Sequence, residues 1–195
     1  MRVTHMTQVE IDWMWLTWKP GYTWAKNIIP QLAELEIEEG QLDRCVYVIR
    51  ANGLFAIQYP NGISPTLYIG EGNFKNRMIQ HKNWLEPLID LVGDFEFMIG
   101  LCIPRVQNSY YAYQDFEAAL LIEFKSIYGC APLKNSQMEN RQKEYEYIPQ
   151  EKVRSAIMIG RGIRYHWAIQ PMKSSPYHEY AMFDFSGDQS FKLEV

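Results

Sequence analysis

Between residues 44 and 136 short apolar runs of strand character, each closed by glycine, asparagine or proline, give way twice to long helical patterns. A strand buries every second side chain and a helix every third or fourth, so this order of periods admits few folds. CVYVIR (45–50) is β-rich and leads into Ala51-Asn52-Gly53, a hairpin signal. LFAIQY (54–59) reads as a second strand, PNG (60–62) as a turn, and PTLYIG (65–70) as a third strand ending at Gly70 and Gly72. From Phe74 the period turns helical, with Met78, Ile79, Trp84, Leu85, Leu88 and Ile89 on one broad face. FEFMIGLCIP (95–104) returns to strand and stops at Pro104. Residues 110–128 place Phe116, Leu120, Phe124 and Ile127 at i, i+4, i+8 and i+11, with Gly129 as the C-cap. The expected fold class is α/β of the α+β type, a small antiparallel β-sheet flanked by helices.

The flanks differ in character. WMWLTWKPGYTW, broken by Pro20-Gly21, gathers Trp13, Trp15, Trp18 and Trp24 into an expected aromatic lid over the core. Residues 27–40 read as a short acidic helix ended by Gly40. Residues 136–154 are polar, as in a solvated face or linker, and SAIMIG, YHWAIQPM and EYAMFDF beyond them read as β-rich. The chain therefore divides into an aromatic N-terminal extension (1–43), a core (44–136) and a β-rich C-terminal extension packing on the core (137–195).

Composition removes several classes. With 47% hydrophobic and 22% charged residues among 195, the chain is neither disordered nor fibrous. No apolar run reaches the roughly 18 residues of a membrane span, and the N-terminus lacks the pattern of a secretory signal. Cys45, Cys102 and Cys130 are far apart and form no CxxC, which suits a reducing, cytoplasmic setting and argues against structural zinc. Nineteen Lys and Arg against 23 Asp and Glu give a net charge of −4, so nucleic acid would have to be held by a local site rather than by bulk charge.

One stretch concentrates chemistry: YIGEGNFKNRMIQH, residues 68–81. Arg77 and His81 are four apart and share a helix face, with Tyr68 at the adjoining strand end. A phenol, a guanidinium and an imidazole can thus converge. Hydrolysis of a phosphodiester uses such parts: a group that aligns or deprotonates water, a fixed cation for the transition-state charge, and a carboxylate that holds a divalent metal.

These residues resemble the GIY-YIG nuclease family. Its second motif stands unaltered as Tyr68-Ile69-Gly70, its helix arginine is matched by Arg77 and the following histidine by His81. The first motif is matched by Cys45-Val46-Tyr47, which keeps the tyrosine; Gly53-Leu54-Phe55 is a competing alignment that would replace the hydroxyl with a bare ring. The family's metal-binding glutamate comes from a later helix followed by Pro and Asn, here Pro132 and Asn135. Glu117 and Glu123 compete for that role, and Glu117 is preferred because it falls within the apolar face.

The resemblance covers roughly 44–136. It implies a metal-dependent endonuclease, with duplex DNA as the expected partner and RNA as the alternative, and Mg²⁺ or Mn²⁺ as cofactor. Tyr47 and Tyr68 would position or deprotonate water, Arg77 bind the scissile phosphate, His81 assist and Glu117 ligate the metal. Gly70, Gly72, Lys75 and Asn135 are the expected substrate contacts. A catalytically inactive relative, acting as a binding or structural module, is the other expectation, since the first motif lacks its glycine and isoleucine. Arg161, Arg164 and Lys173 with Tyr165 and Trp167 form a second basic and aromatic group.

Overall fold

The computed structural model describes residues 7–52, 56–92, 96–107, 109–136 and 145–160, with only the backbone given for 89–92. Gly53-Leu54-Phe55, the group around Arg161, Arg164 and Lys173, and most of the C-terminal extension lie outside the described residues.

The strands are β1 (Thr7–Glu10), β2 (Met14–Trp18), β3 (Cys45–Ala51), β4 (Ile57–Tyr59), β5 (Gly62–Ser64), β6 (Thr66–Gly72), β7 (Phe97–Cys102) and β8 (Tyr145–Ile148). The helices are α1 (Ile29–Glu34), α2 (Phe74–Val92), α3 (Ala112–Tyr128) and α4 (Gln150–Ser155), and a 3₁₀ turn runs over Glu39–Arg44. The centre is a four-stranded antiparallel sheet in the order β2-β7-β3-β6. Helices cover both faces, so the fold is mixed α+β with a small antiparallel sheet flanked by helices.

β3 is buried along its whole length, which explains why CVYVIR reads as a continuous apolar run rather than an alternating one. Its side chains divide between two cores. Cys45, Tyr47 and Ile49 face Phe74, Met78 and Leu85 of α2 and Leu32 of α1. Val46 and Val48 face Phe116, Leu120, Leu121 and Phe124 of α3, together with Tyr147 and Val153. On α2 the broad apolar face is narrower than its sequence suggests: Met78 and Leu85 are buried, whereas Ile79 is 61% exposed.

The N-terminal tryptophans form no lid. Met14–Trp18 pairs with β7, so the aromatic segment supplies an edge strand of the central sheet. Leu16 and Trp18 enter the α1/α2 core, while Trp13 stacks on Phe116 of α3 at 5.8 Å between centroids. The predicted helix over 27–40 is shorter: α1 ends at Glu34, and Gly40 lies inside the 3₁₀ turn.

SAIMIG is the end of α4 and a turn rather than a strand, and residues 145–160 are no linker. Tyr147, Val153, Ala156 and Ile157 are buried. Arg50, only 6% exposed near the end of β3, donates to the carbonyls of Ser155 (2.9 Å) and Met158 (2.6 Å). Ser64 and Tyr128 donate to the Ile157 carbonyl at 2.6 and 3.2 Å. A buried guanidinium is tolerated only with such partners, so Arg50 fixes the chain end of α4 against the sheet.

Both sheet edges are closed by an amide side chain. At β2, Gln31 accepts from the Thr17 N–H (2.7 Å) and donates to the Thr17 carbonyl (3.0 Å). At β6, Asn135 accepts from the Ile69 N–H (3.0 Å) and donates to its carbonyl (2.7 Å). Each amide imitates one residue of a further strand and occupies the edge groups that otherwise recruit another chain. No helix among the described residues is long and apolar enough to cross a membrane.

Candidate active site

The site forms where β6 turns into α2. Gly72 has φ +101°, a left-handed backbone that glycine adopts without strain. Asn73 then caps the helix, its Oδ1 accepting from the Asn76 N–H at 2.9 Å. This sets the start of α2 and so puts Arg77 and His81 in successive turns on one face.

Gly70 has a different reason to be glycine. It is the cross-strand partner of Tyr47, and a Cβ there would lie 2.8 Å from the Tyr47 hydroxyl oxygen and closer still to the Tyr68 ring. The two phenols fold into the space that a side chain would need. Tyr47 and Tyr68 stand 5.9 Å apart between ring centroids, and Tyr68 lies 4.5 Å from the His81 ring.

The polar contacts link these groups in a chain. The Tyr47 hydroxyl and His81 Nε2 are 2.8 Å apart, and the Trp84 indole N–H donates to His81 Nδ1 at 3.0 Å. Arg77 Nε–H reaches the Glu71 carbonyl at 3.4 Å, which turns the guanidinium back towards the end of β6. Tyr47 is fully buried, Tyr68 and Arg77 are half-buried, and His81 is buried.

Burial sets the protonation states. It pushes Tyr47 far above the usual phenol range, with Tyr68 adding to the rise and Arg77 opposing it. Burial also raises Tyr68; there the Arg77 guanidinium and a hydrogen bond from Tyr47 oppose it, while the Glu117 and Glu71 carboxylates add to it. His81 is lowered to about 4, first by burial and then by Arg77, so it is neutral at physiological pH.

The predicted residues therefore come together in large part. Tyr47, Tyr68, Arg77 and His81 form one cluster, and the Glu117 charge is felt at Tyr68. Glu123 instead accepts from Arg154 Nε at 2.7 Å, one helix away. Glu71 pairs with Val46, so its Cβ leaves the sheet on the face opposite Tyr47 and Gly70, the face that α3 covers, and its charge adds to the rise at Tyr68 as that of Glu117 does. A carboxylate oxygen suits Mg²⁺ or Mn²⁺, and Glu117, the carboxylate that the resemblance assigns to the metal, could hold one. Among the described residues no group of three or more His, Cys, Asp or Glu converges. Glu117 would thus share the ion with water and substrate oxygens, as Mg²⁺ commonly does.

The expected substrate contacts fare differently. Gly70 and Gly72 serve packing and backbone geometry. Lys75 pairs with Glu39 at 3.2 Å and lies over the Trp24 ring, so its charge is already matched. Both ends of the Asn135 amide are committed to Ile69. Lys134, which the sequence does not single out, is exposed and has its ammonium 5.4 Å from the Trp84 ring centroid, beside the cluster. Trp84 itself reads as part of an apolar face, yet it sits three residues after His81, a spacing at which helical side chains meet.

No family model matches the chain, and no curated protein or solved structure does.

Proposed function

We propose that this chain is a divalent-metal-dependent endonuclease of the GIY-YIG type that hydrolyses phosphodiester bonds in DNA. The observation that carries the proposal is the meeting of Tyr47, Tyr68, Arg77 and His81 at one end of the β3–β6 pair, with Glu117 close enough to perturb Tyr68. Tyr68 is the more exposed phenol, and Arg77 and Tyr47 oppose the burial that holds it protonated, so it would align the attacking water. Arg77 would meet the charge that builds on the phosphate oxygens. Neutral His81 would hold Tyr47 in place. Glu117 would hold Mg²⁺ or Mn²⁺, which supplies positive charge at the leaving oxygen when bound. Lys134 adds an exposed cation beside the cluster, consistent with local rather than bulk attraction in a chain of net charge −4.

The test is a nicking assay on supercoiled plasmid with Mg²⁺ and with EDTA, run beside a structured RNA. Metal-dependent nicking of the plasmid is expected. The second reading, an inactive nucleic-acid-binding or structural module, draws on Cys45 and Val46 standing where the family has glycine and isoleucine. It requires that neither substrate be cut, and preferential cutting of the RNA would change the substrate class.

A further inference from the structure

His81 touches two groups of unequal character. An indole nitrogen can only donate, whereas a phenol oxygen can donate and accept. The Trp84 N–H points at Nδ1 from 3.0 Å, so Nδ1 must present a lone pair. A neutral imidazole carries one proton, which must then be on Nε2. Nε2–H in turn lies 2.8 Å from the Tyr47 oxygen and donates to it. That oxygen already receives a hydrogen bond, so its own proton is left to turn to another acceptor, and the neighbouring phenol is Tyr68, whose ring centroid lies 5.9 Å from that of Tyr47. The row from the indole through the imidazole to the Tyr47 oxygen is polarised in one direction, towards the half-buried Tyr68.

We propose that Trp84 is a positioning residue that locks His81 in its Nε2–H tautomer and thereby aims the Tyr47 proton at Tyr68. Without the indole N–H, His81 could carry its proton on Nδ1 and accept from Tyr47 instead. The Tyr47 proton would then turn away from Tyr68, which would lose the donor that favours its charged form. Trp84 is well suited to the task. It is part of α2, its ring meets His81 edge-on at 5.6 Å between centroids, and Lys134 covers it. The consequence for cleavage rests on the nuclease reading; the tautomer lock does not.

Long-range proton–nitrogen correlation spectra of the full chain, with ¹⁵N-labelled histidine, report the tautomer directly, and His81→Gln assigns the signal. The wild-type chain at pH 7 should show protonated Nε2 and unprotonated Nδ1. Replacing Trp84 with 3-benzothienylalanine, which keeps the ring shape and removes the N–H, should give a large share of Nδ1–H. The same variant should lower kcat for plasmid nicking at least tenfold with KM unchanged, in the range where orientation of an acid–base group acts. 5-Fluorotryptophan, which keeps the N–H, should restore both. A wild-type Nδ1–H signature, or a benzothienyl variant that keeps Nε2–H, overturns the lock. A shifted tautomer with undiminished kcat overturns the catalytic role. A wild-type chain that shows the lock and cuts nothing sinks the nuclease reading and leaves the lock standing.

Discussion

The buried imidazole makes a quantitative demand on stability. His81 falls from an ordinary value of 6.5 to about 4, because burial and Arg77 both oppose its charge. Folding therefore favours the neutral form, and between those two values the unfolded chain binds more protons than the folded one. The contribution is intact above pH 6.5 and is lost as pH falls towards 4. Integrating between pH 7 and pH 5 gives a loss of about 2 kcal/mol from this one group. Other groups titrate in the same window, so the comparison must remove them. Urea unfolding of the wild type and of His81→Gln at both pH values does so, since only the difference of differences reports His81. The wild type should lose about 2 kcal/mol more than the variant on acidification. A double difference below about 0.5 kcal/mol, or one of opposite sign, would mean that the folded chain carries His81 charged. Burial and the Arg77 charge would then not disfavour the imidazolium as the structure requires.

Three further outcomes follow from the same geometry. Glu117→Gln should abolish metal-dependent cleavage, whereas Glu123→Gln should keep it and cost at most about 1 kcal/mol in thermal or urea unfolding for the half-exposed pair with Arg154. Asn135→Ala should destabilise by about 1–3 kcal/mol, because both backbone groups of Ile69 lose their partner, and should reduce cleavage by loosening the strand that carries Tyr68. Binding of duplex DNA by the Arg77→Ala variant should show a log–log salt slope of about −3 to −5, the response of a few phosphate contacts; a slope steeper than about −8 would reveal a large basic surface.

The core was legible where local signals agree. The strand read as ending at Gly70 and Gly72 and the helical period read from Phe74 both hold, since β6 stops at Gly72 and α2 starts at Phe74. The helical spacing of Phe116, Leu120 and Phe124 likewise leaves one possible buried face. What stayed hidden depends on partners distant in sequence. Met14–Trp18 has the aromatics of a strand, but only its pairing with Phe97–Cys102 makes it one, and Pro20-Gly21 gave it the look of a lid. Arg50 looks like a charge at a strand end until its two carbonyl acceptors, more than a hundred residues on, are in place. Asn135 looked available to substrate because nothing local shows that a sheet edge lies opposite its amide. In the site, residue types and spacing suffice to bring Tyr68, Arg77 and His81 together. The direction in which their protons point depends on Trp84, whose apolar bulk masks its single donor.

The most direct measurement is single-turnover cleavage of duplex DNA in Mg²⁺ by the wild type and by Arg77→Ala, with enzyme in excess and folding checked by circular dichroism. Arg77 is half-buried at the helix surface and its side chain makes one long hydrogen bond, to the Glu71 carbonyl, so its loss should leave the fold intact. If the guanidinium meets the transition-state charge, the cleavage rate should fall by 10³-fold or more, the magnitude seen when such a cation is removed. Equal rates for the two folded proteins would contradict the account.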